Sequence, residues 1–378
     1  MQELNLGAIR EEIDDVDQQL VKLFEKRMKL CHDVAEYKIA TGKKVLDRAR
    51  EHEKLEKIDS LVQNPENKHV IDGMFTQIMA DSRKTQYRLL EESGQSLREP
   101  YTAIDEVNKD GVKVVYQGVP GAYSSIAMHQ YFGEDVDNFN VRSWREAMEA
   151  VRDGKADYAV LPIENSTTGF VSDVYDLLQE FHNYIIAETY VKVEHCLLGL
   201  PGTDLSKVKT VYSHPQGLMQ CQKFLEQYPD WQKISQANTA MSAKKVVEEQ
   251  DKTQVAIASR EAAKVFGLEI LRECINDRDN NVTRFIIVCK DRKFVKGAKK
   301  MSIFFETPNE PGTLYNTLSH IIYNGLNMTK IESRPMGDNN WDFRFFIDFD
   351  GNIDDANVIN AMRGIEEEAK AVRLLGNY

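Results

Sequence analysis

The chain has 378 residues and a formal net charge of −12 at pH 7, which argues against nucleic acid or an anionic membrane surface as its main partner. It contains no run of about 18 apolar residues, so no membrane-spanning helix is expected. Its five scattered cysteines lack metal-ligand spacing and fit the reduced cytoplasm, so we expect a cytoplasmic multidomain protein.

The first ninety residues have a helical pattern. Apolar residues recur at three- and four-residue intervals at Ile9, Ile13, Val16, Leu20, Leu23, Leu30 and Val34. Two further helical stretches follow, from Asp47 to about Val62 and from about Val70 to Glu92. Residues 93–111 are polar, turn-rich and aperiodic, which is typical of a linker.

Two cations occupy the apolar stripe of the first helix. Arg27 and Lys38 are 11 residues apart, so they share one face about 16 Å apart along the axis. Buried cations need anions or other partners. The next two helices supply polar side chains that share a face within each helix: Asp47, Arg50 and Glu51, then Ser82 and Gln86. Interhelical salt bridges in a bundle would explain any one of these positions, but they explain the whole set poorly.

Residues 1–92 resemble the all-helical chorismate mutase domain, with matching types and spacing at Arg10, Arg27, Lys38, Asp47, Arg50, Glu51, Ser82 and Gln86. The reaction of that family is a unimolecular rearrangement of a dicarboxylate, which needs neither a nucleophile nor a metal. The resemblance implies that Arg10 and Arg27 clamp the carboxylates with help from Ser82 and Arg50, that Lys38 and Gln86 donate to the ether oxygen, and that Glu51 and Asp47 orient the ring hydroxyl. Arg10 precedes Arg27 by about 25 Å on one helix. We therefore expect Arg10 to act in the partner's site of an intertwined homodimer.

From Val112 the pattern changes to alternating strands and helices. Polar clusters stand where strands end or helices begin, which is where α/β folds bind anions. They are GVPGAYS (118–124), IEN (163–165) with Thr167 and Thr168, SHPQ (213–216), Gln220, Asn238–Thr239 and NVTRF (281–285). Alone, the glycine loop would be structural and His214 before a proline would be a capped turn.

Together and in this order, these clusters resemble prephenate dehydratase over residues 112–291. The resemblance implies an α/β domain with two lobes, like a periplasmic solute-binding protein, and a ligand in the cleft. It places Thr283 at the departing hydroxyl, has Asn165 and Gln220 bind and orient the substrate, and sets Ser213, His214 and Glu164 around them. Arg284 is either a carboxylate clamp or a structural partner of an acid such as Asp279. The source of the proton stays open.

Residues 299–378 have a β-α-β-β-α-β pattern that resembles the ACT domain, an α+β ferredoxin-like regulatory module. The resemblance implies phenylalanine binding by the loop PNEPGTLY, at Gly312, Thr313, Leu314 and Tyr315, and by the strand end Glu332, Ser333, Arg334 and Pro335. In fusions of the two enzymes the commonest loop is Gly-Ala-Leu-Val, so the bulkier Tyr315 bears on affinity and ligand identity. A structural dimerisation module is the alternative.

The whole chain thus resembles the bifunctional chorismate mutase–prephenate dehydratases, with chorismate and prephenate as substrates and L-phenylalanine as inhibitor. We expect no metal, nucleotide or flavin cofactor, and a homodimer or a higher oligomer. Two alternatives remain: a dehydratase that prefers arogenate, and an amino-acid sensor whose lobes have lost catalysis.

Overall fold

The computed structural model describes residues 5–93, 101–336 and 342–378. Contacts divide the chain into two compact units. The described part of Met1–Glu99 belongs with Ile303–Leu374, and the described part of Pro100–Ser302 belongs with Leu375–Tyr378. None of the described helices is long and apolar enough to cross a membrane.

Three helices form the N-terminal part of the first unit: α1 (Leu6–Thr41), α2 (Arg48–Asp59) and α3 (Lys68–Glu92). Asn5 caps α1 because its Oδ1 accepts from the Gly7 amide at 3.0 Å, and α1 ends where Gly42 adopts φ 66°. Although α1 packs on α3, only Ala35 of its 36 residues is buried. The predicted apolar stripe is exposed in the single chain, and Leu23 is 64% exposed.

The second unit begins with the elements β1 (Thr102–Ile104), β2 (Lys113–Gln117), α4 (Tyr123–Phe132), β3 (Asp137–Val141), α5 (Trp144–Arg152), β4 (Tyr158–Asn165), β5 (Gly169–Phe170), α6 (Ser172–Glu180) and β6 (Tyr184–Lys192). It continues with β7 (Cys196–Gly199), β8 (Thr210–Ser213), α7 (Pro215–Gln220), α8 (Gln222–Leu225), β9 (Gln232–Ser235), α9 (Thr239–Glu249), β10 (Gln254–Ala258), α10 (Arg260–Phe266), β11 (Glu269–Arg272), β12 (Val282–Cys289) and β13 (Lys293–Val295).

Two sheets in this unit form two lobes. In the first, β6, β12, β4, β2 and β3 are neighbours in that order, and β5 pairs with β4. In the second, the order is β11, β7, β10, β8 and β9. The chain enters the second lobe after β6 and returns to the first at β12, which pairs antiparallel with both β4 and β6. Because β12 is central and buried, its sequence is apolar on both faces from Phe285 to Cys289, after the polar Thr283 and Arg284 near its start.

The predicted linker differs from the structure in its second half. Thr102–Ile104 forms strand β1, which pairs in parallel with β13. Residues 94–100 lie outside the described residues. A three-residue strand has too few positions to show a period, and its pairing partner lies far along the chain, so the local sequence could not reveal it.

The C-terminal segment follows the predicted element order: β14 (Lys300–Thr307), α11 (Thr313–Tyr323), β15 (Met328–Pro335), β16 (Phe343–Asp350), α12 (Ala356–Glu368) and β17 (Ala371–Asn377). Its strands are neighbours in the order β15, β16, β14 and β17, and β15 pairs antiparallel with β16. Within the first unit, α12 packs on α3.

Candidate active sites

A cavity of about 600 Å³ lies between the two lobes of the second unit. Its wall is built from the ends of β4 and β12, the segment between β6 and β7, and the start of α4 and α7. Strand pairing sets Thr283 of β12 directly beside Asn165 of β4. Two of the predicted polar clusters, IEN and NVTRF, therefore meet in this wall.

Asn165 is the centre of a hydrogen-bond network. Its Oδ1 accepts from the backbone amides of Thr167 at 3.0 Å and Thr168 at 3.1 Å, and from Thr167 Oγ1 at 2.6 Å. Its Nδ2 donates to Asn281 Oδ1 at 2.7 Å and to Thr283 Oγ1 at 2.9 Å. Because backbone donors hold the oxygen, the orientation of this amide is fixed.

The network continues across the cavity to the second lobe. Gln220 Nε2 donates to Thr167 Oγ1 at 3.0 Å, and Gln220 Oε1 lies 2.9 Å from Nε2 of His195. His195 is only 2% exposed, and burial lowers its pKa, so the ring is neutral. Its Nδ1 lies 3.2 Å from the hydroxyl of Tyr123, whose pKa burial raises well above the ordinary value.

A second polar cluster lies among the N-terminal helices. Arg27 Nη1 donates to Ser82 Oγ at 2.6 Å, and Lys38 Nζ donates to the Val45 carbonyl at 2.5 Å. Burial lowers the pKa of Lys38 against the attraction of neighbouring carboxylates. Gln86 is buried, and its Nε2 donates to the Ser82 carbonyl at 3.2 Å. Among the described residues its Oε1 has no hydrogen-bond partner.

Arg83 is a buried cation of this cluster. Its Nη1 donates to both carboxylate oxygens of Glu51, at 2.6 and 2.5 Å. Its Nη2 lies 3.3 Å from Glu368 at the end of α12. The adjacent Glu367 accepts from the hydroxyl of Tyr87, and burial raises its pKa to about 7. The C-terminal segment therefore contributes two carboxylates to the edge of the helical cluster.

Two protein-family models match this chain. The family model for chorismate mutase type II matches residues 9–87, and that for prephenate dehydratase matches residues 114–293. The bifunctional chorismate mutase/prephenate dehydratase of Escherichia coli (strain K12) is 31% identical, over 99% of this chain and 96% of the relative. That of Buchnera aphidicola from Schizaphis graminum is 33% identical with the same coverage.

The chain belongs to the bifunctional chorismate mutase/prephenate dehydratase family. It is an enzyme with both catalytic domains on one polypeptide. Among solved structures, the prephenate dehydratase of Arthrobacter aurescens in complex with L-Phe is 31% identical, with a TM-score of 0.66. That alignment covers 71% of this chain and 89% of the Arthrobacter chain.

The structure brings only part of the predicted mutase set together. Arg27 and Ser82 are in direct contact, and Gln86 lies one turn beyond Ser82 on α3. Asp47 caps α2 by accepting from the Arg50 amide at 3.0 Å. The side chain of Arg50 is exposed and pairs with Glu53 at 2.7 Å, and not with a substrate carboxylate as predicted.

Two further residues of the predicted mutase set are Glu51 and Arg10. Glu51 is engaged by Arg83, a buried residue of α3 that no local pattern singles out, because the pair joins two separate helices. Arg10 is exposed near the start of α1, and the single chain leaves it on the uncovered face that the expected dimer would bury.

Three predicted dehydratase residues do not line the cavity. Strand alternation turns Arg284 to the opposite face of β12 from Thr283, where its Nε donates to Glu188 at 2.7 Å and its Nη2 donates to the Tyr378 hydroxyl at 2.8 Å. Glu164 is on that face too, 3.7 Å from Arg284. The structural interpretation of Arg284 is therefore favoured, but with Glu188 as its main partner and not Asp279.

Ser213 also points away from the dehydratase cavity. It is fully buried, and its Oγ donates to the Ile257 carbonyl at 2.8 Å beneath Gly217 of α7. His214 does line the cavity. Its Nδ1 accepts from the Gln216 amide at 3.2 Å, and burial lowers its pKa. A neutral His214 therefore carries its proton on Nε2 and can donate to a ligand.

Other residues of the cavity wall are not predicted by the sequence. His195 stands alone between two apolar strands, which give no local signal. Tyr123 lies inside the predicted glycine loop, where nothing local distinguishes it from its neighbours. Arg142 follows β3 and is the one lysine or arginine among the described residues that line the cavity.

The predicted regulatory residues lie on α11 and β15. Gly312 caps α11 with φ 83°, a conformation that favours glycine, and Thr313 Oγ1 donates to the Pro308 carbonyl at 2.9 Å. Leu314 is half-buried, whereas Tyr315 is exposed with its hydroxyl 3.1 Å from that of Tyr323. On the strand, Glu332 and Arg334 are half-buried, and Ser333 and Pro335 are exposed.

One described cluster has metal-ligand spacing: His32, Asp33 and Glu36 on α1. All three are exposed, and His32 pairs with Glu36 at 3.7 Å. This arrangement is typical of a solvated helix face, so we assign no metal to it.

Proposed function

We propose that the helical site rearranges chorismate to prephenate and that the cavity of the second unit converts prephenate to phenylpyruvate, under inhibition by L-phenylalanine. The observation that carries the proposal is the continuous network of Thr283, Asn165 and Gln220 inside one cavity. It occurs in a chain that also joins Arg27 to Ser82 beside a buried Gln86.

The mutase reaction requires positioning and electrostatic stabilisation. Chorismate must be held in its compact conformer while negative charge grows on the ether oxygen. Lys38 suits this role because it is partly desolvated, which strengthens its interaction with an anion. We assign Arg27 to a substrate carboxylate and Gln86 to the ether oxygen. Glu51, held by Arg83, orients the ring hydroxyl.

A homodimer would complete the mutase site. On a straight helix Arg10 and Arg27 are about 25 Å apart, too far to bind one small ligand from the same chain. The exposed apolar stripe of α1 supports a partner helix on this face. We infer that Arg10 of one subunit serves the site of the other, in a homodimer or a higher oligomer.

The dehydratase reaction removes the ring hydroxyl as water and the ring carboxylate as carbon dioxide, and aromatisation drives it. We assign Thr283 to the leaving hydroxyl and Arg142 to the pyruvyl carboxylate. With Arg284 turned away and His195 and His214 neutral, the rest of the described wall offers little positive charge to the departing carboxylate. Such a wall favours its loss as neutral carbon dioxide.

We infer three domains: a mutase domain (1–92), a dehydratase domain (112–291) and a ferredoxin-like ACT domain (299–378). The strand order β15, β16, β14, β17 supports the ACT assignment. The Arthrobacter relative in complex with L-Phe supports phenylalanine as the effector. We expect it to bind at Gly312–Tyr315 and Glu332–Pro335, where a coupling of about 1–3 kcal/mol would give strong inhibition.

The deciding experiment is turnover by the purified full chain. Chorismate and prephenate should each give phenylpyruvate, and L-phenylalanine should inhibit. Arogenate, which carries an amino group where prephenate has a keto group, should be the poorer substrate. Faster turnover of arogenate would overturn the substrate assignment. A folded chain that binds phenylalanine without turning over either substrate would be a sensor.

A further inference from the structure

The hydroxyl of Thr283 has a defined hydrogen-bonding role in the cavity wall, as an acceptor from Asn165. Its Oγ1 accepts from Asn165 Nδ2 at 2.9 Å, and no other side-chain hydrogen bond to this oxygen is made by the described residues. Its single proton is therefore not used by Asn165 and can point into the cavity. Thr283 can then donate to a substrate oxygen, provided that the Asn165 amide keeps its orientation.

The donor and the acceptor of each hydrogen bond can be assigned in turn from Asn165 back to His195. Thr167 gives its one hydroxyl proton to Asn165 Oδ1, so its oxygen must accept from Gln220 Nε2. This choice turns Gln220 Oε1 toward His195 Nε2. Since an amide oxygen cannot donate, Nε2 must carry the imidazole proton.

The other side of the His195 ring is consistent with this tautomer. A neutral ring protonated on Nε2 has a bare Nδ1, which can only accept. The Tyr123 hydroxyl lies 3.2 Å from Nδ1 and 3.0 Å from the Glu194 carbonyl, and its single proton can go to either acceptor. The ring is buried and packs edge-on against Tyr123, with centroids 5.8 Å apart, so it has little freedom to turn.

We propose that His195 is a positioning residue of the dehydratase, whose Nε2 proton fixes the Gln220 amide and, through Thr167 and Asn165, holds Thr283 as a donor to the leaving hydroxyl. This inference rests on the proposed dehydratase function. The chain of bonds includes two amide groups, which do not pass protons readily. It therefore orients Thr283 and does not deliver a proton to it.

Two substitutions in the full-length protein test the role. His195→Phe keeps a ring but removes the donor, whereas His195→Gln restores a side-chain N–H with similar reach. We expect His195→Phe to lower the dehydratase kcat roughly 10- to 100-fold, with KM changed less than about twofold, because the donor is misdirected while the cavity keeps its shape. His195→Gln should recover most of the loss. Near-UV circular dichroism of the same samples reports on the folding of the dehydratase domain.

Equal losses in the two variants, with a wild-type circular dichroism spectrum, would show that ring shape matters and would overturn the proposal. An unchanged kcat in His195→Phe would overturn it as well. Failure of the wild-type chain to dehydrate prephenate would instead remove the proposed function.

A spectroscopic measurement on the wild-type protein tests the tautomer of His195 without any substitution. In ¹⁵N-histidine-labelled wild-type protein at pH 7.5, the His195 ring should show a protonated Nε2 and a bare Nδ1, with assignment by loss of the signal in His195→Gln. Gln220→Leu should shift the Nε2 resonance by removing its acceptor. A ring protonated on Nδ1, or on both nitrogens, would contradict the proposed tautomer of His195.

Discussion

At the scale of single residues, the two faces of β12 have different surroundings: one faces the cavity, and the other is bound to neighbouring side chains. Thr283 and Phe285 face the cavity, and Arg284 between them is bound to Glu188 and Tyr378 on the other face. The period of two in a strand decides this, so neighbouring residues of one motif have unrelated roles. We therefore expect the clamp for the pyruvyl carboxylate to be Arg142, which is the one arginine or lysine among the described residues of the cavity wall.

Arg142→Gln should therefore weaken substrate binding. Losing a charged hydrogen bond to the pyruvyl carboxylate costs about 1.5–3 kcal/mol, or roughly 10- to 150-fold in KM for prephenate, with a smaller effect on kcat. Steady-state kinetics on prephenate measure this. The control is Arg145→Gln, three residues further along in the first turn of α5, because Arg145 pairs with Glu180 at the surface. If both variants behaved like the wild type, Arg142 would not be the clamp.

At the scale of elements, the sequence predicted what depends on local periodicity. The helical patterns located α1 and α3. Likewise IEN and NVTRF predicted residues that meet at the cavity. No local pattern encodes the pairing of β1 with β13, the Arg83–Glu51 pair or the contact of His195 with Gln220, because each of them joins distant segments.

The contact of α12 with α3 gives a stability prediction. Burial raises the pKa of Glu367 to about 7, so the folded state binds more protons than the unfolded state between about pH 4.5 and 7. The free energy of unfolding should therefore fall as pH rises through this window. Glu367→Gln should remove that loss and raise Tm at pH 8 by about 2–4 °C, with little change at pH 5. Calorimetry of the full chain measures this.

The control for this prediction is Glu12→Gln, which changes an exposed carboxylate of α1. A stabilisation of equal size at pH 5 and pH 8 would show that titration of Glu367 does not contribute.

At the scale of the whole molecule, the two catalytic sites belong to different compact units. The mutase cluster lies within the described part of the first unit, and the dehydratase cavity lies within the second. No residue named in one site is shared with the other. Their chemistry should therefore be separable by single substitutions.

Thr283→Ala should lower dehydratase activity at least 100-fold, because the donor to the leaving hydroxyl is lost, and should leave mutase activity within about twofold. Added chorismate would then be converted to prephenate, and chromatography of the reaction mixture would detect the accumulated prephenate. Arg27→Ala is the matched opposite, with mutase activity lost and dehydration of added prephenate retained. Loss of both activities from either folded variant would favour a shared site.

Inhibition by phenylalanine should depend on β15. Glu332 is half-buried on this strand, and its carboxylate could pair with the ammonium group of the effector. Glu332→Ala should raise the phenylalanine concentration for half-inhibition at least tenfold while kcat stays near the wild-type value. Asp354→Ala, which changes an exposed carboxylate outside both proposed binding segments, is the control. Unchanged, strictly competitive inhibition would place the effector in the cavity.

A point substitution is the better test because the C-terminal segment also supports other parts of the protein. Glu368 pairs with Arg83, and the Tyr378 hydroxyl accepts from Arg284. Deleting residues 300–378 would leave both arginines, each less than a tenth exposed, without these partners. The resulting loss of activity would not report on the effector site.

The first unit is assembled from the two ends of the polypeptide, and this bears on its synthesis. About 210 residues separate Ser93 from Ile303, so at roughly 5–20 residues per second the ribosome needs about 10–40 s to make the second part. During this interval the dehydratase domain can fold, while α3 still lacks the helix that packs on it. The nascent N-terminal helices therefore expose apolar surface to solvent until α12 is made, and we expect a chaperone to bind them during translation.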